Sequence, residues 1–187
     1  MIAEETALPG VLLLKPPVFR DDRGFFRETW RAERYAAAGI PDRFVQDNVS
    51  LSTRGVLRGL HFQEPNPQGK LVSVLRGEVW DVAVDVRVGS PTFGRWAGYT
   101  LNDENGWQLW VPPGFAHGFV VTSGEALFSY KCTDVYRPEA ESTLLWNDPD
   151  LAIDWPGAAP LVSAKDRGGA RLRDLPPERL PRYREAG

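Results

Sequence analysis

The chain has 187 residues, a formal charge of -3, one cysteine and two histidines. That length fits one domain with its own core; the lone Cys132 excludes an intrachain disulfide, and scattered Lys and Arg without a basic tract argue against a nucleic-acid partner. No apolar run approaches the roughly 18 residues of a membrane span, and the opening MIAEETALPG lacks a signal peptide's basic-then-apolar pattern, so a cytoplasmic protein with no membrane contact is expected.

Val11 to Lys15 reads as a first strand, and Asp21-Asp22-Arg23-Gly24 as a turn into Phe25-Phe26. Trp30 to Ala38 is the best helical stretch, ended by Gly39 and Pro41. From Phe44 onward strands dominate. Gln46, Asn48 and Ser50 share one parity and Val45, Val49 and Leu51 the other, so the two amides stand on one face, either solvated or lining a wet interior. Lys70 to Leu75, Arg76-Gly77 and Glu78 to Val86 read as a hairpin. In its second arm Val82, Val84 and Val86 alternate with Asp81, Ala83 and Asp85, and that acidic face is expected to meet solvent or basic side chains. Further strands are expected over 96–101, 107–111, 116–122, 126–133 and 142–146, and the tail beyond Ala158 reads as a surface wrap. Many short strands with turn signals between them imply an all-β sandwich or jelly roll with short flanking helices.

Histidine scarcity narrows the chemistry, because few other side chains act as a base near neutral pH. His61 lies in Arg58-Gly59-Leu60-His61-Phe62-Gln63, with Lys70 following. An acidic partner would orient its ring and stabilise an imidazolium. Asp21, Asp81, Asp85, Asp134 and Asp166 all qualify on residue type alone. His117 follows Gly106, Pro112, Pro113 and Gly114 at the spacing of the second cupin motif. The first cupin motif carries a His-x-His pair and a Glu; here His61 is followed by Gln63, so a full metal-ligand set is missing and no metal is expected. Tyr130 and Cys132 share strand parity; the tyrosine can hold a transferable proton, while the cysteine reads as a small core residue. There is no G-x-S-x-G, P-loop or Rossmann fingerprint.

The chain resembles the dTDP-4-dehydrorhamnose 3,5-epimerase family, a metal-independent branch of the cupins, almost end to end. The stretches that carry the resemblance are DRGFF with Glu28, FVQDNVS, RGLHFQ, QGKLV, GEVWDVAVDVRVGSPTFG, QLWVPPGFAHGF, YKCTDVY, WNDP, IDWP and SAKD, in that order. The resemblance implies a cupin-type jelly roll with its core at about 44–146, a C-terminal wrap over 147–187, and a homodimer in which the N-terminal segment helps complete the neighbouring site. It implies double epimerisation of dTDP-4-dehydro-6-deoxy-D-glucose without a cofactor, with inversion at C3 or C5 alone as the alternative. His61 then corresponds to the base, Asp166 to its partner, Lys70 to the cation beside the enolate, and Tyr130 to the acid on the opposite face. Arg58, His117, Gln46, Asn48, Arg23, Phe26 and Glu28 correspond to substrate contacts, with Phe19 and Tyr136 as candidates for stacking on thymine. Many relatives carry two adjacent tyrosines after Thr-Asp; this chain has Val135-Tyr136, and strand parity points Val135 away from the site.

Overall fold

The computed structural model describes residues 1–40, 43–157 and 159–183; Pro41 and Ala158, expected to end the helix and to precede the tail, lie outside them. Its strands are β1 (Ile2–Glu5), β2 (Leu12–Lys15), β3 (Phe19–Asp21), β4 (Gly24–Phe26), β5 (Gln46–Thr53), β6 (Val56–Gln63), β7 (Lys70–Arg76), β8 (Glu78–Asp85), β9 (Trp96–Asn102), β10 (Gln108–Val111), β11 (Phe115–Val121), β12 (Glu125–Cys132), β13 (Glu141–Thr143) and β14 (Leu161–Val162). Two short helices, α1 (Ala32–Ala36) and α2 (Ala164–Arg167), flank them.

The larger strands form two facing sheets, β1-β2-β10-β7-β12-β5 and β13-β6-β11-β8-β9, with β14 added in parallel to β6. From β5 to β8 each strand enters the sheet opposite its predecessor, which is the jelly-roll arrangement the sequence implied. The sheets also reach back to residues 2–15. β1 carries no apolar alternation and is exposed throughout, so nothing in its own sequence marks it as a strand.

The expected hairpin over Lys70–Val86 does not form. β7 pairs with β10 and β12, whereas β8 pairs with β11 and β9 in the other sheet. Gly77, at φ +79°, turns the chain from one sheet to the other. Val72 and Val74 of β7 then face Val79 and Ala83 of β8 across the interior core. Facing apolar rows bury more surface than a solvated hairpin, at roughly 25 cal/mol per Å².

Both faces of β8 are consequently buried, and Asp81 and Asp85 are fully covered rather than solvent-facing. Each has a partner: Asp81 meets His117, and Asp85 accepts hydrogen bonds from Arg87, Ser90 and Thr92. The outer face, with Val82, Val84 and Val86, packs under the C-terminal segment through Leu151, Trp155, Val162 and Leu172. The tail is therefore part of a second core as well as a wrap.

The expected helix contracts to Ala32–Ala36. Trp30 is used in packing on Tyr35 and Phe44 at ring-centroid distances of 4.6 and 4.7 Å. No helix among the described residues is long and apolar enough to cross a membrane.

Candidate active site

The inward rows of the strands change from apolar to polar toward one end of the sandwich. Lys70 begins the β7 row that continues as Val72 and Val74, and Tyr130 and Cys132 extend the β12 row of Ala126 and Phe128. Gln46, Asn48, Ser50 and Ser52 form the inward row of β5, the edge of its sheet. Two adjoining cavities of 290 and 280 Å³ open among these residues and share Asn48, His61, Lys70 and Tyr130. The shared parity of Gln46 and Asn48 thus reflects a polar interior.

Arg58 and His61 are three residues apart, so a regular strand would point them to opposite faces. Against β11, however, His61 pairs with His117 and Arg58 with Phe119, so β6 carries one extra residue there. Gly59 sits in this bulge at φ +127°, where a Cβ would meet the Gly118 Cα at 2.6 Å. The bulge places both Arg58 and His61 on the same cavity.

His61 Nε2 lies 2.6 Å from Asp166 Oδ1, and Asp166 Oδ2 accepts the Gly59 N–H at 3.4 Å. Asp166 belongs to α2, whose first turn Ser163 caps by accepting the Asp166 N–H. Burial alone would raise the Asp166 pKa, but the hydrogen bonds and charge around it, led by His61, hold it below the usual carboxylate value. With Nε2–H donated to an ionised Asp166, His61 retains a lone pair on Nδ1. The remaining candidate acids are otherwise engaged: Asp21 with Arg23, Asp81 with His117, Asp85 with Arg87 and Asp134 with Arg137.

Across the shared space stand a cation and a phenol. Burial lowers the pKa of Lys70, against the opposing pull of Cys132, Glu141 and Asp81. Burial, together with Cys132, raises the pKa of Tyr130, so its phenol keeps its proton near neutrality. His117 Nε2 lies 2.9 Å from both carboxylate oxygens of Asp81, and the ring lines the same cavity and stacks on Phe128. Arg58 donates to Ser52 Oγ at 3.0 Å. The buried Cys132 accepts from Asn48 Nδ2 at 3.7 Å, and burial raises its thiol pKa, leaving it a poor nucleophile.

Tyr136 lines the cavity mouth; its N–H donates to Gln46 Oε1 and its hydroxyl to Glu141 Oε2. β12 ends at Cys132, so strand parity does not extend to Val135, which is 40% exposed and absent from both cavity linings. Residue-by-residue reading missed Glu141 and Lys165, which pair with each other and line the mouth beside His61. Lys165 stands next to Asp166 in the SAKD stretch, whereas Glu141 sits in no distinctive pattern. Among the described residues no three His, Cys, Asp or Glu side chains form a group able to hold a metal ion.

The structure does not bring Phe19, Arg23 or Phe26 to this cavity within one chain. They belong to the separate β3–β4 hairpin, where Phe19 is 61% and Phe26 70% exposed and Arg23 pairs with Asp21. Glu28, just beyond, pairs with Arg34.

Comparison with known proteins gives this site its context. The family model described as dTDP-4-dehydrorhamnose 3,5-epimerase matches residues 5–174. The chain is 60% identical to the enzyme of that name from Neisseria gonorrhoeae over 88% of its own length, while spanning 51% of that relative. It is 56% identical to the Pseudomonas aeruginosa enzyme of that name, covering 93% of this chain and 97% of the relative. A crystal structure of the dTDP-6-deoxy-D-glucose-3,5-epimerase of Legionella pneumophila Philadelphia 1, in complex with dTDP-4-keto-L-rhamnose, superposes with a TM-score of 0.96 at 53% identity, covering 98% of this chain and 99% of that one. The chain belongs to the dTDP-4-dehydrorhamnose 3,5-epimerase family.

Proposed function

We propose that this chain epimerises dTDP-4-dehydro-6-deoxy-D-glucose at C3 and C5 to give dTDP-4-dehydro-L-rhamnose. The observation that carries the reading is the His61–Asp166 pair at 2.6 Å, set on a cavity that Tyr130 and Lys70 also line. The C4 ketone acidifies the hydrogens on both neighbouring carbons. His61 removes one of them, and Asp166 stabilises the imidazolium formed. Charge moves to the C4 oxygen, where Lys70 stabilises the enolate more than the ketone. Tyr130 returns a proton to the opposite face, which converts exchange into inversion. Once His61 has released its proton to solvent and Tyr130 has regained one from it, the cycle repeats at the second carbon. The ketone is itself the electron sink, so the chemistry requires no redox cofactor or metal.

Arg58, His117, Gln46 and Asn48 hold the sugar and its diphosphate, and Tyr136 stacks at the mouth. The protein acts as a homodimer in the cytoplasm. Phe19, Arg23, Phe26 and Glu28 complete the partner's site, with Arg23 on the diphosphate. Support for the dimer comes from the exposed β3–β4 hairpin and from β5 at the edge of its sheet, whose outer face exposes Val49 and Leu51. Inversion at one carbon alone would use the same base and acid; the three relatives compared above, at 53–60% identity, are named for both carbons.

The test is NMR in D₂O with purified protein and dTDP-4-dehydro-6-deoxy-D-glucose. Deuterium at C3 and C5 with the L-rhamno product supports the proposal. Inversion at one carbon narrows the activity, and binding without exchange rejects it.

A further inference from the structure

Among the described residues the β3–β4 hairpin makes no strand pairing with either large sheet, so something other than a β-ladder must set its position. Arg27, the residue after β4, does so. Its half-buried guanidinium donates to the Val74 carbonyl at 2.6 Å and to the Asp103 carbonyl at 3.4 Å. Val74 lies one residue beyond the last β10 partner on β7, where Gln108 meets Ser73, so Arg27 takes over where that ladder stops. At the other strand of the hairpin Arg20 donates to the Glu104 carbonyl at 2.8 Å. Both guanidinium groups lie against the Phe25 ring, at 5.6 Å for Arg20 and 5.4 Å for Arg27. Three carbonyls on the body of the chain thus clasp a hairpin whose own residues are exposed.

We infer that Arg27, assisted by Arg20, is a positioning residue that aims the β3–β4 hairpin from its own subunit toward the partner's cavity. The inference rests on the proposed reading in which the hairpin serves the partner subunit. Arg27 touches no substrate. It removes the freedom of the hairpin before binding, so that Arg23 and Phe26 arrive already oriented. The two carbonyls lie on different elements, β7 and the loop after β9, and a planar guanidinium can bridge both, whereas an ammonium reaches one. Its effect should therefore fall on KM rather than on kcat.

The test compares Arg27→Ala, Arg27→Lys and Arg23→Ala, each alone and each co-expressed with a differently tagged His61→Ala chain and purified through both tags. Arg27→Ala should raise KM about tenfold with kcat within about twofold, the scale of one lost charge-assisted hydrogen bond. Arg27→Lys should fall between it and wild type. In the mixed Arg27→Ala/His61→Ala dimer, the site with an intact His61 receives its hairpin from the chain with an intact Arg27, so KM should return to the wild-type value. An unchanged KM in Arg27→Ala, with Arg23→Ala raised and restored by mixing, overturns the role of Arg27 and leaves the partner reading standing. A raised KM that mixing fails to restore for Arg27→Ala alone makes its role local to its own subunit and also overturns the inference. If mixing fails to restore Arg23→Ala, the partner reading itself fails and takes the inference with it.

Discussion

Asp166→Asn keeps the size of a side chain that is only 4% exposed, but removes its charge. In the wild type the carboxylate accepts from both His61 Nε2 and the Gly59 N–H. An amide has one acceptor oxygen for two donors, so its NH₂ group must face one of them. Facing His61, it forces the ring proton onto Nδ1 and removes the lone pair needed for deprotonation. The imidazolium formed during reaction also loses a counter-charge about 4 Å from its centre, worth about 4 kcal/mol at an effective dielectric of 20. At 1.36 kcal/mol per decade that is about a 10³-fold loss in turnover, and the tautomer change can carry it to about 10⁴, as in a Ser-His-Asp triad. The assay is product formation under substrate saturation, with deuterium uptake at C3 and C5 followed in the same sample. The fold should persist, because packing volume is conserved. A folded Asp166→Asn protein within about threefold of wild-type turnover would refute the linkage between this pair and catalysis.

Tyr130→Phe should leave deuterium exchange within about tenfold of wild type while lowering inversion about 10²-fold or more, because only the returning proton is lost; equal losses in both would remove its role as acid. Lys70→Met should lower kcat about 10²-fold with little change in KM, checked by steady-state kinetics, since enolate stabilisation acts mainly in the transition state. Asp85→Asn breaks a buried pair with Arg87 and should cost about 3–5 kcal/mol, or roughly 6–20 °C in a thermal melt. Burial opposes ionisation of Asp85, yet the Arg87, Ser90 and Thr92 hydrogen bonds outweigh it and hold the pKa below 3.8. The wild-type stabilisation from this carboxylate is therefore complete above the unfolded-chain value near 3.8 and is lost as pH falls through the lower folded value. Melts of Asp85→Asn should lack that acid-limb component; parallel pH profiles would contradict it.

Strand placement was legible where residues alternate against a half-buried sheet. The expected strands at 96–101, 116–122 and 126–133 differ from β9, β11 and β12 by a residue at one or both ends. The parity of Gln46 and Asn48 likewise followed from period two alone. Partnering was a different matter. Arg76-Gly77 has the local chemistry of a hairpin turn, yet β7 and β8 separate into opposite sheets because their apolar rows fill the space between those sheets. Nor does local sequence separate Asp81 from Asp166 as the partner of His61, since both are acids far away along the chain. The resemblance assigned Asp166, and its physical basis is α2 folding back beside β6.

The sequence by itself determined the strand-rich class, the polar end of several inward rows and the few side chains able to move a proton. Those follow from residue type and a period of two, which are local properties. Only the tertiary structure decided that the β6 bulge turns Arg58 and His61 onto one face, that Asp81 belongs to His117, and that Glu141 and Lys165 close the mouth. Such facts depend on long-range register and on how two sheets close over each other, where a shift of a single residue exchanges the inner and outer faces of a strand.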